Sequence, residues 1–580
     1  MSIIPSGEKI IEKKICRISG EEFFVTDKDV EFYDTISPIF GGKKYAIPSP
    51  TLCFDERRRR RLSFYNQRFL YKNTCAITGK NIISRIAPDR GLTTYSIEAW
   101  SDRSWDPKKF GIPVNFDVPF FEQIHHLIKT TPYQNLVGSS HNATNNALYT
   151  NHTSELKNCY LISNANQVTD AYYCSDIKKS EQCIDCLSCS KAKDCYECVA
   201  CHDAAACRWC EYVTNSTYCF KSRLLKGCSH CLACINLDHK KYHVLNRPVS
   251  PEEYKTIVGK YITDTSFKRE IDKRYSQLYL ASFFPATNNV NAENSIGDTL
   301  YNVSDCLGFN INSSTHCRYC ESIIDSHHLM DVSDFGEIAE YMYEGVSIGR
   351  QSQHILFSGV VGKGTNFLYC LEVKKSHDCF GCVNMHYVDH CILNTPYSVQ
   401  EYETLCGKIV DHMRSTGEWG EFFPHELSPF GYNETLANEY FPLTEKEVEE
   451  KGWNWHSGAT TTLDGTGYRP LPIREYDEKQ VGYEKAQNNI DILLAETIKC
   501  AISGRPFKIV PQELAFYIEN AVNIPSLHPD ERHKARMGLR NARAFHQREC
   551  AQCQKSIITT YAPSRPEKIV CETCYRNILY

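Results

Sequence analysis

Several things are scarce in this chain of 580 residues, and each absence closes a class of function. No stretch approaches the ~20 consecutive apolar residues of a membrane-spanning helix. The opening MSIIPSGEKIIEKK has no apolar core of a secretory signal, so a cytoplasmic chain, or one assembled into a virion inside the cell, is expected. There is no excess of positive charge: 65 Lys+Arg stand against 70 Asp+Glu, a net charge of −5. That argues against bulk attraction to nucleic acid or to an acidic membrane. HExxH, a Walker A loop and a dinucleotide fingerprint are all missing. The one formal match, "GVSIG" (345–349), has the spacing of a nucleophile elbow around Ser347. It lies in a repeat rather than at a strand-to-helix turn, so it is not read as catalytic. His327 and His328 stand side by side on a repeat edge and read as surface residues rather than ligands. No catalytic residue and no small-molecule substrate site is expected.

Cysteine is abundant instead: 30 residues, dense enough for a disulfide scaffold, a set of metal sites or a packed ladder. A long chain expected in a reducing compartment disfavours the first. From Cys159 to Cys234 every gap between cysteines is a multiple of three, and the remaining positions on that frame are small or apolar: Ile162, Ala165, Val168, Ala171, Ile177, Ser180, Ala192, Ala204, Val213, Ser216, Ser222 and Leu225. A period of three drifts around an α-helix and does not alternate like a plain strand. It fits a solenoid with one inward residue in three, of nine or twelve residues per coil. Ala, Ser, Ile and Val replace Cys freely on this frame, which packing tolerates and coordination does not. A packed thiol ladder is therefore preferred over bound metal.

The pattern returns in a second segment. One frame runs from Cys317 and Cys320 through Ile323, Ser326, Leu329 and Val332 to Phe335 and Ile338; after a slip a second runs from Val346 and Gly349 through Ile355 and Cys370 to Cys391. The two segments end alike, since residues 231–260 align without gaps to 379–408. Ser250 with Glu253, and Ser398 with Glu401, have the spacing of capping boxes and predict cap helices.

A second duplication joins the chain ends. "CRISGEEFFVTDKDVEFY" (16–33) reappears as "CAISGRPFKIVPQELAFY" (500–517), and 75–100 aligns with 550–575. The last copy reads CxxC, seventeen residues, CxxC, the spacing of a zinc ribbon built from two knuckles, so Cys550, Cys553, Cys571 and Cys574 are expected to hold one structural zinc. The matching positions Cys75, Thr78, Ser96 and Ala99 keep one thiol and predict no metal. Cys16 and Cys500 open C-x-x-S-G turns, but Cys53 and His528 offer no evident second half. Both ends also carry an arginine-rich helix, over 55–72 and 529–549, where Arg57, Arg61, Arg532 and Arg536 are candidate contacts to a phosphate backbone or a partner; the alternative is a solvated face paired with local acids.

These CxxSG and CxxTGK end modules, the Cys triplet tracts and "LSPFGYNETLANEYFPLTEKE" (427–447) resemble a large family of Cys-rich zinc-ribbon proteins of candidate-phyla bacteria and some large viral genomes. Some members carry the label CaiB/BaiF, a CoA-transferase name for which this chain has no supporting residues. The resemblance implies a zinc-ribbon fold and keeps a virion or large-assembly role open, but lends no activity. Family members keep CxxC pairs at the amino-terminal module as well, which this chain has lost.

The fold class expected is mainly β with helical caps: two Cys-lined triplet-repeat β-solenoid segments flanked by zinc-ribbon-like α+β end modules. The divisions are a degenerate ribbon-like module at 1–107, a linker and short helix at 108–150, the first solenoid at 151–240, a helical cap at 241–300, the second solenoid at 301–395, a cap at 396–455, a linker at 456–495 and a zinc-ribbon module at 496–580. The function expected is a non-enzymatic scaffold for protein partners, with outward Tyr172, Tyr173, Tyr196, Tyr212 and Tyr218 suited to an interface. A nucleic-acid-binding ribbon protein and a thiol-based redox enzyme are the alternatives.

Overall fold

The computed structural model describes residues 3–102, 104–138, 145–188, 195–199, 205–333, 336–458, 473–474, 490–495 and 497–579. Ala192, Ala204 and Phe335, Cys189 and Cys201, and most of the 456–495 linker lie outside them. The chain is mixed α/β with many strands, most of them parallel. No described helix is long and apolar enough to cross a membrane.

Two parallel stacks dominate. In the first, each strand pairs with the chain twelve residues on: Ile162 lies beside Thr150, Val168 beside Ser180, Cys183 beside Cys195 and Cys219 beside Cys231. Twelve, not nine, is the observed register. The backbone enters the left-handed region once every three residues, as at Leu161, Asn164, Gln167, Asp170 and Tyr173, and the residue after each such turn points inward. A left-handed conformation costs a non-glycine residue about 1–2 kcal/mol, least for Asn and Asp. Asn164, Asp170, Asp176 and Asp185 meet that preference, while inter-strand hydrogen bonds such as Asp185 N–H to Tyr172 C=O (3.0 Å) offset the remaining strain.

The turn also explains the cysteines. The carbonyl two residues before an inward position points to the interior, where a small side chain with a donor can reach it. Cys174, Cys186, Cys210 and Cys234 each donate S–H to that carbonyl at 3.2–3.4 Å. Ser180, Ser216 and Ser222 do the same with O–H at 2.8–2.9 Å. Many of these side chains also accept the N–H twelve residues on: Cys186 N–H to Cys174 Sγ at 3.4 Å, Cys234 N–H to Ser222 Oγ at 3.0 Å. The thiols thus satisfy buried backbone groups on two adjacent repeats, beyond filling space as small hydrophobes. Every described cysteine outside the last knuckle is buried. Cys234→Ser is accordingly expected to cost less than 1 kcal/mol. Cys234→Ala leaves the Leu232 C=O and the Asn246 N–H without the sulfur and is expected to cost about 1–3 kcal/mol in denaturant unfolding.

The second stack opens at a spacing of eleven, with Leu300 beside Ile311 and Leu307 beside Arg318, then follows the same rule with two longer turns. Cys317 pairs with Leu329 at a spacing of twelve, but Ile323 with Gly336 and Met342 with Ile355 at thirteen. Each thirteen-residue turn moves the inward frame by one. The inward residues between the slips are therefore Ala339, Met342 and Ile348. Ile338, expected inward, is 52% exposed, and Val346 packs in the outer core against the amino-terminal module. Both stacks close on an asparagine: the Asn246 side chain bonds both backbone groups of Ile235, and Asn394 those of Val383. Helices Pro251–Thr263 and Val399–Thr416 follow, each opened by the expected capping box.

Candidate functional site

Four stretches share one local plan. A strand ends at a cysteine, the chain turns through a tight knuckle, a second strand returns, and a later segment comes back to the cysteine and starts a helix. In the last copy, strands His546–Glu549 and Ser556–Thr559 flank the knuckle. Cys550 N–H bonds Lys555 C=O at 2.8 Å, Ala551 N–H bonds Ile569 C=O at 2.8 Å, and Cys571 N–H reaches Cys550 Sγ at 3.3 Å. The Cys75 copy repeats this with Lys80, with Thr94, and with Ser96 N–H on Cys75 Sγ at 3.3 Å. The Cys500 copy does so with Arg505, with Ser526, and with His528 N–H on Cys500 Sγ at 3.3 Å. In the Cys16 copy the partners are Glu21, Thr51 and Cys53 N–H. Cys53 and His528 are thus the returning residues of their units, a correction to the reading that those units lack a second half.

Only the last copy carries thiols at all four positions. The sulfurs of Cys550, Cys553, Cys571 and Cys574 lie within 4.8 Å of one another, a group that could hold a metal ion. Cys553 Sγ and Cys571 Sγ are 3.8 Å apart. The site is one knuckle plus the first turn of helix Glu572–Leu579, not two knuckles as the ribbon reading expected. Burial raises the Cys550 thiol, but N–H donors from Cys553, Cys571 and Gln552 outweigh it and bring its pKa down to about 6. A thiolate is the form that ligates.

The arginine-rich helices are where expectation and structure differ most. Arg57, Arg61, Arg532 and Arg536 are all buried, at 4% exposure or less. Helix Phe54–Leu62 lies on the second stack. Arg57 Nε bonds Asp331 at 2.6 Å, and Arg61 contacts Asp331 at 3.7 Å and Glu344 at 3.5 Å. Arg60 bridges Glu344 (3.1 Å) and Glu421 (2.7 Å), and Arg58 meets Glu321 at 2.6 Å. Helix Pro529–Leu539 lies on the first stack in the same way. Arg532 bonds Asp185 and, at 3.2 Å, Glu513; Arg536 bonds Asp185 at 2.8 Å. Asp185 and Asp331 are both fully buried and both occupy left-handed turn positions. Each end module therefore clamps a stack through one aspartate held between two arginines a helical turn apart. None of the four faces solvent, so the surface contact proposed for them is withdrawn. Their acids are also distant in sequence rather than local.

The tyrosines are largely covered by the same docking. Tyr173 and Tyr196 pack in the core with Tyr517 and Leu514 of the carboxy-terminal module, and the Tyr173 hydroxyl bonds Glu513 at 2.8 Å. Tyr172 is buried as well, whereas Tyr218 is 53% exposed. Ser347 sits in the second stack with its N–H on Ser333 C=O, between Gly345 and Ile348, so no elbow forms there. His327 bonds Thr315 Oγ1 at 2.8 Å, and His328 stacks between His316 and Tyr341.

A further polar cluster joins the amino-terminal module to the segment after the second cap. His456 reaches Glu434 (3.2 Å) and Asp89 (3.0 Å), Tyr71 O–H donates to Glu434 at 2.6 Å, and Arg90 meets Glu434 at 3.1 Å. The hydrogen bond to Glu434 raises the His456 pKa above its ordinary value, against burial; Glu434 is held below its own by His456, Tyr71 and Gly431, again against burial. The His456 contribution is complete below the unfolded histidine pKa of about 6.5 and is lost as pH rises through the raised folded value. The Glu434 contribution is complete above about 4.3 and is lost as pH falls through the depressed value. Stability from the pair is therefore greatest between those limits. His456→Gln is expected to flatten the alkaline side in unfolding measured across pH.

No family model matches the chain, and no curated protein matches it.

Proposed function

We propose that this protein is a non-enzymatic architectural component in which two β-solenoid bodies are held rigid by their own end modules and present a face to protein partners in a larger assembly, a virion among them. The observation that carries this reading is the duplicated clamp. The arginines that stand out in the sequence are consumed in pairing with Asp331 and Asp185, and the described inward thiols in bonding the backbone. The nucleic-acid reading loses the residues it rested on. The thiol-enzyme reading loses support because the ladder cysteines are buried and hydrogen-bonded. Partly exposed rings remain for a partner: His316, His328, Tyr341 and His354 stack along one column of the second stack at 4.9–5.2 Å.

Zinc is the ion we assign to the four-thiol group. Four thiolates 2.3 Å from a tetrahedral zinc stand about 3.8 Å apart, the separation of Cys553 and Cys571. Its role is structural, since all four positions are taken by protein.

Full-length protein titrated into labelled single-stranded and duplex nucleic acid should show at most weak binding with a shallow salt dependence. A log–log salt slope equivalent to about six or more phosphate contacts would favour the nucleic-acid alternative. Isolated in its native assembly, the chain should cross-link to protein at the ring column. Recovery as a free monomer would contradict the scaffold role.

A further inference from the structure

The four knuckles share a backbone frame but not a donor set, and the first has a combination found in none of the others. At its four positions stand Cys16, Ser19, Cys53 and Glu56. Ser19 Oγ lies 3.7 Å from Cys53 Sγ, and the Arg17 N–H to Thr51 C=O bond (3.2 Å), with Cys53 N–H donating to the Cys16 sulfur, brings the two cysteines together on one knuckle. The Glu56 carboxylate is drawn away to Arg59 at 3.1 Å, so a four-donor tetrahedron is not offered. In the Cys75 and Cys500 knuckles the facing residue is Ser96 or His528, which leaves each thiol without a sulfur partner there.

We propose that Cys16 and Cys53 are a peroxide-oxidisable thiol pair that closes to a disulfide, tying the first knuckle to the start of the arginine helix clamped on the second stack. The roles are unequal. Burial works against ionising Cys16, but Ser19 and the N–H groups of Cys53, Ser19 and Ile18 prevail and lower its pKa. Cys53, at the cap of helix Phe54–Leu62, is pushed up to about 11, chiefly by burial. Cys16 is therefore the attacking thiolate and Cys53 the resolving thiol. Both sulfurs are covered, but the knuckle above them, Arg17 to Gly20, is exposed, so an oxidant the size of hydrogen peroxide has a short path.

The chemistry balances with hydrogen peroxide as the oxidant. The Cys16 thiolate attacks one peroxide oxygen, the O–O bond breaks, hydroxide leaves and takes up a proton, and Cys16 becomes a sulfenic acid. The Cys53 sulfur, giving up its proton, attacks the Cys16 sulfur; the S–O bond breaks and water leaves. Two thiols and one peroxide yield one disulfide and two waters.

The test uses the full-length, metal-loaded protein, treated with hydrogen peroxide, alkylated and digested under non-reducing conditions. The expected product is a peptide pair linked through Cys16 and Cys53, whereas Cys75, which has no facing thiol, should accumulate as a sulfenic acid that dimedone captures and should form no such link. In Cys53→Ser the same treatment should leave a sulfenic acid at Cys16 that a dimedone probe captures. Full alkylation of both cysteines in the wild-type chain after exposure that oxidises Cys553 would overturn the proposal. So would a link from Cys16 to any other cysteine. The wild-type measurement decides the matter even if the variant fails to fold.

Discussion

Asp331→Ala is expected to destabilise the protein by about 3–5 kcal/mol, because it strands Arg57 as a buried cation without its bonded carboxylate and leaves Arg61 with Glu344 alone. Asp185→Ala should cost a similar amount by taking the bonded carboxylate from buried Arg536 and leaving Arg532 with Glu513 alone. The aspartates cannot be replaced by solvent, since all four arginines are buried and the modules cover the turns that carry them. Surface ion pairs of the same geometry contribute only about 0–1 kcal/mol. The size of the effect therefore separates a buried clamp from the solvated helix face that the sequence alone equally allows. Removing both sides of one contact, as in Asp331→Leu with Arg57→Met and Arg61→Met, should recover much of the loss, because breaking a buried pair costs more than replacing it by apolar groups. Chemical denaturation of the single and combined variants gives these values directly.

Removal of the zinc proposed for the four-thiol group is expected to be the second large effect. Structural zinc in small cysteine sites contributes about 10–16 kcal/mol of binding free energy, which is folding free energy when the site does not exist in the unfolded chain. Here the four thiols hold the Cys550 knuckle to helix Glu572–Leu579, and the intervening strand Lys568–Val570 pairs with Phe283–Pro285 beside the first cap. Chelation, or Cys571→Ser, is expected to unfold residues 546–579 locally and open that segment to proteolysis. The Cys75 knuckle should stay protected. It has the same backbone bonds without a metal set, and there Ser96 caps the helix through Ala99 N–H at 3.2 Å while Trp100 packs on His386 at 4.5 Å. A chelated chain with equal protease sensitivity at both knuckles would contradict this difference.

The inward frame of the first stack was readable because a left-handed residue every third position forces one side chain in three into a narrow interior, and the cysteines mark it. The repeat length was not, because a frame of three is the same in a nine- and a twelve-residue turn; only the pairing of Val168 with Ser180 decides. The two thirteen-residue turns were equally hidden, since Ile338 continues the old frame as well as Ala339 begins the new one. Cap helices were legible from Ser250, Glu253, Ser398 and Glu401, whose interactions are local. The clamp was not. Asp185 and Asp331 look like any other acid on an outward frame, and nothing local tells which outward faces another part of the chain will cover. The four-thiol group was legible from its spacing, but its second half on a helix turn rather than a knuckle was not, because CxxC fits either backbone.

Elemental analysis of metal per chain, on full-length protein purified under reducing conditions, tests most directly the claim that the cysteines divide into one ligand set and a hydrogen-bonding ladder. About one zinc per chain is expected, lost in Cys571→Ser and unchanged in Cys234→Ser. Four or more metal ions per chain, or loss of metal in Cys234→Ser, would mean that the ladder thiols coordinate rather than bond the backbone, and would contradict the account.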